Sequence, residues 1–225
     1  VNLEPGEYRV EVTYRAGHQG REGFFTVGYS VDAPYSDVPE GSWYHDAVLE
    51  VSAMGLMTGY GDGTFGPSDS LTRAQAATVL WRYFQPTASK NYNAQAATNR
   101  TKMDDVKSGC FYTEAANWAV ENGVIHGVEK GGELCFDPDA SIPREQLCVM
   151  IANAAHELCG RGVEGSDRAK LEAMPDVQSV PEWASDSIAW CLNEGVVNGV
   201  DESGARYVEP ASIVDRATMA QIMVN

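Results

Sequence analysis

Apolar residues recur at helical spacing in six short stretches of this chain. Val48, Val51 and Ser52 stand at i, i+3 and i+4, and the same offsets hold Ala116, Ala119 and Val120, then Ile188, Cys191 and Leu192. A second set falls at Ala76, Val79 and Leu80, at Leu147, Met150 and Ile151, and at Met219, Ile222 and Met223. Residues so spaced share one face of an α-helix, so the pattern predicts three pairs of short amphipathic helices. Gly55, Gly123 and Gly195 follow the first helix of each pair and predict a left-handed stop there. At the starts of the second helices, Thr72 and Gln75 have capping-box spacing, Pro143 suits a first turn, and Asp215 suits a cap. Over the first 34 residues the period changes to two. Tyr8, Val10, Val12 and Tyr14 alternate with polar residues, and Phe25, Val27, Tyr29 and Val31 resume the alternation after a Gly-rich turn. Two strands are predicted, and because a lone hairpin is marginal in water they are expected to be the tail of an upstream β-domain or a flap packed on the rest.

The helical pairs are copies of one unit. Each opens on Asp-Val, at Asp37, Asp105 and Asp176, and an aromatic follows at Trp43, Phe111 or Trp183. Twelve residues after the aromatic comes Gly55, Gly123 or Gly195, and four further on Gly59, Gly127 or Gly199. A proline stands at Pro67, Pro138 or Pro210, and six residues later an arginine at Arg73, Arg144 or Arg216. Six landmarks kept in step three times define copies at 35–84, 103–156 and 174–225, joined by polar connectors at 85–102 and 157–173. A unit of about 50 residues with two short helices has a thin core. The expectation is therefore one mainly α domain, in which three helix-loop-helix repeats pack with pseudo-threefold symmetry behind a short β-hairpin segment.

Composition narrows the function. With 32 acidic against 16 basic residues the net charge is −16, which argues against nucleic acid, whose binding depends on neutralising phosphates with Lys and Arg. No stretch approaches the roughly 20 apolar residues of a membrane span, and no leader pattern opens the chain, which reads as a piece of a longer protein. An anionic ligand would have to be held by local arginines, because the long-range field repels it; salt screens that field beyond about 8 Å, so a local site can still win. The histidines His18, His45, His126 and His156 are scattered, no nucleophile sits in a catalytic motif, and Gly-Asp-Gly at 61–63 lacks the other ligands of a calcium loop and reads as a turn. Thus no catalytic residue, metal or cofactor is indicated. Cys148 and Cys191 occupy positions that are apolar in the sister copies and read as small core residues, while Cys110 and Cys135 lie in loop-like stretches and are candidates to pair.

The pattern DV…W…G…G.GDGTF.P…LTRAQ in the first copy resembles the S-layer homology family, and the resemblance extends over residues 35–225. It implies a three-pronged pseudo-trimer with the first helices in a central bundle. Grooves between prongs would bind secondary cell-wall polysaccharide, often carrying a pyruvate ketal, at an extracellular, cell-wall location. By the same resemblance, Arg73, Arg144 and Arg216 would reach a ligand carboxylate, and Trp43, Phe111 and Trp183 would line the grooves. Asp37, Asp105 and Asp176 would accept hydrogen bonds near sugar hydroxyls, and Gly59, Gly127 and Gly199 would let backbone amides come close.

The chemistry is sound in its own right, since a guanidinium fork pairs bidentately with a carboxylate, and a helix N-terminus adds free N–H groups and a positive dipole end. The copies depart from the family motif at Gln75, Gln146 and Thr218, where it has glutamate, and at Pro143 and Asp215, where it has threonine. Glu145 and Asp215 stand beside their arginines, so the first copy is expected to be the most competent and one or two grooves degenerate. The competing readings are arginines that only tie the copies together, and a structural domain whose degenerate repeats self-associate or support an upstream domain. An enzyme acting on wall glycans would need two carboxylates facing each other across a groove, and the sequence pairs none.

Overall fold

The structure is a computed structural model that describes residues 7–14, 23–30 and 35–225. Strands β1 (Glu7–Tyr14) and β2 (Gly23–Ser30) pair antiparallel with Tyr8 opposite Tyr29 and Val12 opposite Phe25. Val31, the last residue of the predicted alternation, lies outside the described residues. The first copy holds α1 (His45–Ala53) and α2 (Arg73–Phe84), and its connector begins with α3 (Pro86–Lys90). The second holds α4 (Thr113–Glu121), a hairpin of β3 (Val128–Lys130) and β4 (Glu133–Cys135), and α5 (Arg144–Cys159). After α6 (Ala169–Glu172) the third copy brings α7 (Glu182–Asn193), the hairpin β5 (Val200–Glu202) with β6 (Ala205–Tyr207), and α8 (Arg216–Val224). The described chain is mainly α, with two-stranded hairpins as its β-structure.

Local chemistry accounts for most boundaries. Thr72 closes a full capping box with Gln75, and Asp215 accepts from the Thr218 N–H. Pro143 stands one place earlier than expected, as the cap residue of α5 rather than inside its first turn. Gly55, Gly123 and Gly195 take φ of 71°, 68° and 78°, the left-handed region that stops the first helix of each copy. The hairpins β3–β4 and β5–β6 were not predicted. Their turns, Gly131-Gly132 and Ser203-Gly204, have positive φ at both residues, the geometry whose twist matches that of paired strands.

Packing runs between copies. Helix α2 packs on α4, α5 on α7, and α8 back on α1, so each second helix leans on the first helix of the next copy. The loops close the same cycle. Ile142 N–H donates to Leu71 O at 2.9 Å, Leu71 N–H to Val214 O at 2.8 Å, and Val214 N–H to Ile142 O at 3.0 Å. Around this ring of three bonds Leu71, Ile142 and Val214 are buried, as are Phe65 and Phe136. The helix starts join in. The amides of Arg73, Arg144 and Arg216 donate to Ala140, Ser212 and Asp69 carbonyls, and those of Ala74, Glu145 and Ala217 to Pro138, Pro210 and Pro67. Amides that a helix leaves without partners are thereby used to bind copy to copy.

The connectors are clamped by arginines onto the helix that follows. Arg100 forks onto Glu114 at 2.8 and 3.0 Å and reaches Glu121, while Arg168 bonds Asp186 at 2.9 Å and Glu182 at 3.1 Å. Hydrogen bonding to Arg100 holds the Glu114 carboxyl below its ordinary value, and Arg168 does the same for Asp186. A depressed carboxyl contributes stability above its unfolded pKa, about 4.3 for Glu, and loses it as pH falls through the folded value. Glu114→Gln is accordingly expected to melt about 1–3 °C below the wild type at pH 7, the size of a partly exposed pair, with the gap closing below about pH 4. A gap that persists at pH 3 in thermal melts would contradict this assignment.

Candidate functional site

The aspartates that open each copy face inward to their own loop. Asp37 accepts from Phe65 N–H at 2.8 Å and Gly66 N–H at 2.7 Å. Asp105 binds the amides of Phe136 and Asp137 in the same way, and Asp176 those of Val208 and Glu209. Each carboxylate thus fixes the loop that leads to the next arginine. Gly59, Gly127 and Gly199 stand where the chain passes close to that loop. A Cβ on Gly59 would lie 2.4 Å from Thr64 O and 2.5 Å from the Tyr35 ring, and one on Gly127 would lie 2.9 Å from Cys135 O. Gly199, at φ +75°, would place its Cβ 3.1 Å from Tyr207 O. The Gly59 amide donates to the Tyr35 hydroxyl at 3.1 Å.

The arginines reach across copies. Arg216, only 6% exposed, donates from Nε to Phe65 O at 2.9 Å and from Nη2 to Thr58 O at 2.7 Å. Its guanidinium lies over the Phe65 and Tyr60 rings, 4.5 and 4.9 Å from their centroids. Arg73, 5% exposed, donates to Phe136 O at 2.9 Å and to the Gln146 side chain at 2.7 Å. Burial lowers the Arg73 pKa, opposed by the charges of Asp137 and Asp105. Arg144 differs. It is half-buried, and among the described residues its side chain makes no hydrogen bond or ion pair. The third copy has Val208 where the other loops carry Phe65 and Phe136, and Thr218 in place of Gln146, so it lacks counterparts of the Phe136 ring, 5.9 Å from the Arg73 guanidinium, and of the Gln146 amide. Neither neighbouring carboxylate takes its arginine into a salt bridge: Asp215 caps α8, and Glu145 is raised by burial. The expected free N–H groups at these helix starts are consumed by the loop carbonyls described above.

The aromatics are exposed, Trp43 by 62%, Phe111 by 54% and Trp183 by 59%. Two cavities gather the predicted residues, each drawing on all three copies. One, of about 180 Å³, is lined by Arg216 of the third copy, Gly59 of the first and Phe111 of the second. Another, of about 280 Å³, is lined by Arg73, Gly127 and Trp183, from the first, second and third copies in turn. The aspartates line neither, and Arg144, Trp43 and Gly199 are not among the residues of these two. The sequence reading missed Arg82, which lines the smaller cavity beside Arg216 and donates to Leu56 O at 2.8 Å. Burial lowers its pKa. Its signal was a cation on the buried face of α2, four residues after Thr78 and three after Val79.

The family profile described as "S-layer homology domain" matches residues 34–77 and 173–220, and the second copy lies between the matched segments. The chain is 45% identical over 166 residues to the "Outer membrane protein SlpA" of Thermus thermophilus, covering 72% of this chain and 17% of that protein. It is 28% identical over 186 residues to a "Cellulosome-anchoring protein" of Acetivibrio thermocellus, covering 80% of this chain and 36% of the relative. An "Amylopullulanase" of Thermoanaerobacterium thermosulfurigenes is 26% identical over 209 residues, 90% of this chain and 10% of that enzyme. In each case the chain spans a minor part of the relative's length. Residues 34–77 and 173–220 of this chain, which contribute Arg73, Gly59, Trp183 and Arg216 to the two cavities, are thus the segments that match the S-layer homology domain.

Proposed function

We propose that this chain is a non-catalytic anchor that holds a larger surface protein to the bacterial cell wall by binding an anionic secondary cell-wall polysaccharide. One observation carries the reading: an arginine, a close-approach glycine and an exposed aromatic, far apart in sequence, meet in one cavity, and the combination recurs in a second. A guanidinium has five N–H donors. Arg216 commits Nε and Nη2 to carbonyls, which fixes the plane of the fork and leaves other donors for a carboxylate such as a pyruvate ketal. Exposed rings beside it offer a flat apolar face to a pyranose. Holding a sugar in this way needs positioning rather than a general acid and base, and binding is the function proposed.

The same reading takes 35–84, 103–156 and 174–225 as three copies with pseudo-threefold symmetry, and the cyclic loop hydrogen bonds support it. That segments similar to this one occur in an amylopullulanase and in a cellulosome-anchoring protein supports a portable attachment module working at the cell surface. Retention by the wall polymer is the proposed means of attachment, and among the described residues no helix is long and apolar enough to cross a membrane. The chain is expected to sediment with purified wall sacculi and to stay in solution once the non-peptidoglycan polymer has been extracted from them. Undiminished sedimentation with stripped sacculi would overturn the proposal.

A further inference from the structure

Three equivalent helix seams join the copies, and cysteine occupies one of them. At the seam of α2 with α4 the equivalent positions are Ala77 and Ala119, and at that of α8 with α1 they are Ala220 and Val51. At the seam of α5 with α7 they are Cys148 and Cys191. Both side chains are fully buried, and the Cys191 thiol lies 3.7 Å from the Cys148 carbonyl oxygen. In this structure all five cysteines are thiols, and the candidate pairing of Cys110 with Cys135 is not formed. Cys110 and Cys135 are half-buried, and the Cys135 thiol turns to the Glu133 carbonyl of its own hairpin.

We propose that Cys148 and Cys191 form a disulfide that covalently ties the second copy to the third. The 3.7 Å approach of the Cys191 thiol to the Cys148 carbonyl brings the two cysteines face to face across the seam. The thiolate of either cysteine displaces one thiol from a low-molecular-weight disulfide such as oxidised glutathione and forms a mixed disulfide. The other cysteine, on losing its proton, then attacks the first protein sulfur and releases the second thiol. Two protein thiols are oxidised as one small disulfide is reduced, and an oxidising extracytoplasmic setting suits the reaction. Because the pair is sealed in the seam, exchange takes place before the second and third copies close, and the finished bond is shielded from reductant.

The experiment is to refold the full 225-residue chain with oxidised and reduced glutathione, alkylate it in guanidinium, and map it by mass spectrometry. Three alkylated cysteines are expected, Cys110, Cys135 and Cys159, with one cross-linked peptide joining α5 to α7. Closing a loop of this length is expected to raise the melting temperature by about 10 °C over the reduced chain. Cys148→Ala, which gives the seam the alanine found at Ala77 and Ala220, should fold, melt close to the reduced wild type and show no dependence on redox buffer. Five alkylated cysteines, or a cross-link between any other pair, would overturn the proposal. The outcome is independent of wall binding, since it reads only the thiols.

Discussion

Arg216→Ala is expected to lower the unfolding free energy by about 3–5 kcal/mol. The side chain satisfies Phe65 O, which is buried, and Thr58 O at the more open end of the site; leaving the buried acceptor without its donor costs about 1–3 kcal/mol, and the part-buried one less. Loss of the guanidinium above the Phe65 and Tyr60 rings adds to that, as a cation over an aromatic face contributes about 0.5–2 kcal/mol. Arg73→Ala should be less damaging, because one of its partners is the Gln146 side chain, which can turn to water. Arg144→Ala should change stability least, having no hydrogen bond to lose among the described residues. Urea midpoints for the three variants give the order. If Arg216→Ala costs less than about 1 kcal/mol, the cross-copy role assigned to these arginines is wrong.

Removing both exposed rings should separate binding from folding. Phe111 and Trp183 line the two cavities, yet each stands more than half in solvent, so truncating them should shift stability by no more than about 0.5 kcal/mol. A central aromatic in a binding site is typically worth about 2 kcal/mol, or roughly 30-fold in affinity. Two sites on one polymer act together through effective concentration, and the Phe111→Ala, Trp183→Ala double variant is expected to bind sacculi about 1,000-fold more weakly. The readout is a sacculus sedimentation isotherm beside a thermal melt. Unchanged wall affinity with an unchanged melt would rule out sugar stacking at these cavities.

What could be read directly from the residues was whatever is local. The capping box at Thr72 and Gln75, the Asp215 cap and the left-handed glycines at 55, 123 and 195 each follow from one residue type meeting one backbone need. The hairpins β3–β4 and β5–β6 escaped because three-residue strands are too short to show a period of two, although Gly131-Gly132 and Ser203-Gly204 signal the turns. The landmark residues of the site were visible, but not their grouping. Arg216 meets Gly59 and Phe111 because helices and loops cross between copies, a fact that only the three-dimensional closure supplies. Likewise the difference of Arg144 from its sister arginines depends on Val208 and Thr218, more than 60 residues downstream.

The ring through Leu71, Ile142 and Val214 has a topological consequence. In a linear array of repeats, deleting a terminal unit severs one junction and leaves a shorter array with its remaining junctions intact. Here every unit borders both of the others, so excision of any one severs two junctions of three. The remaining pair would keep a single junction and bare the apolar faces on either side of the gap. Cutting the backbone within 85–102 or 157–173 is a different matter, because it spares all three junctions. Circular permutants opened there, and fragments split there that reassociate in trans, are the rearrangements this closure tolerates.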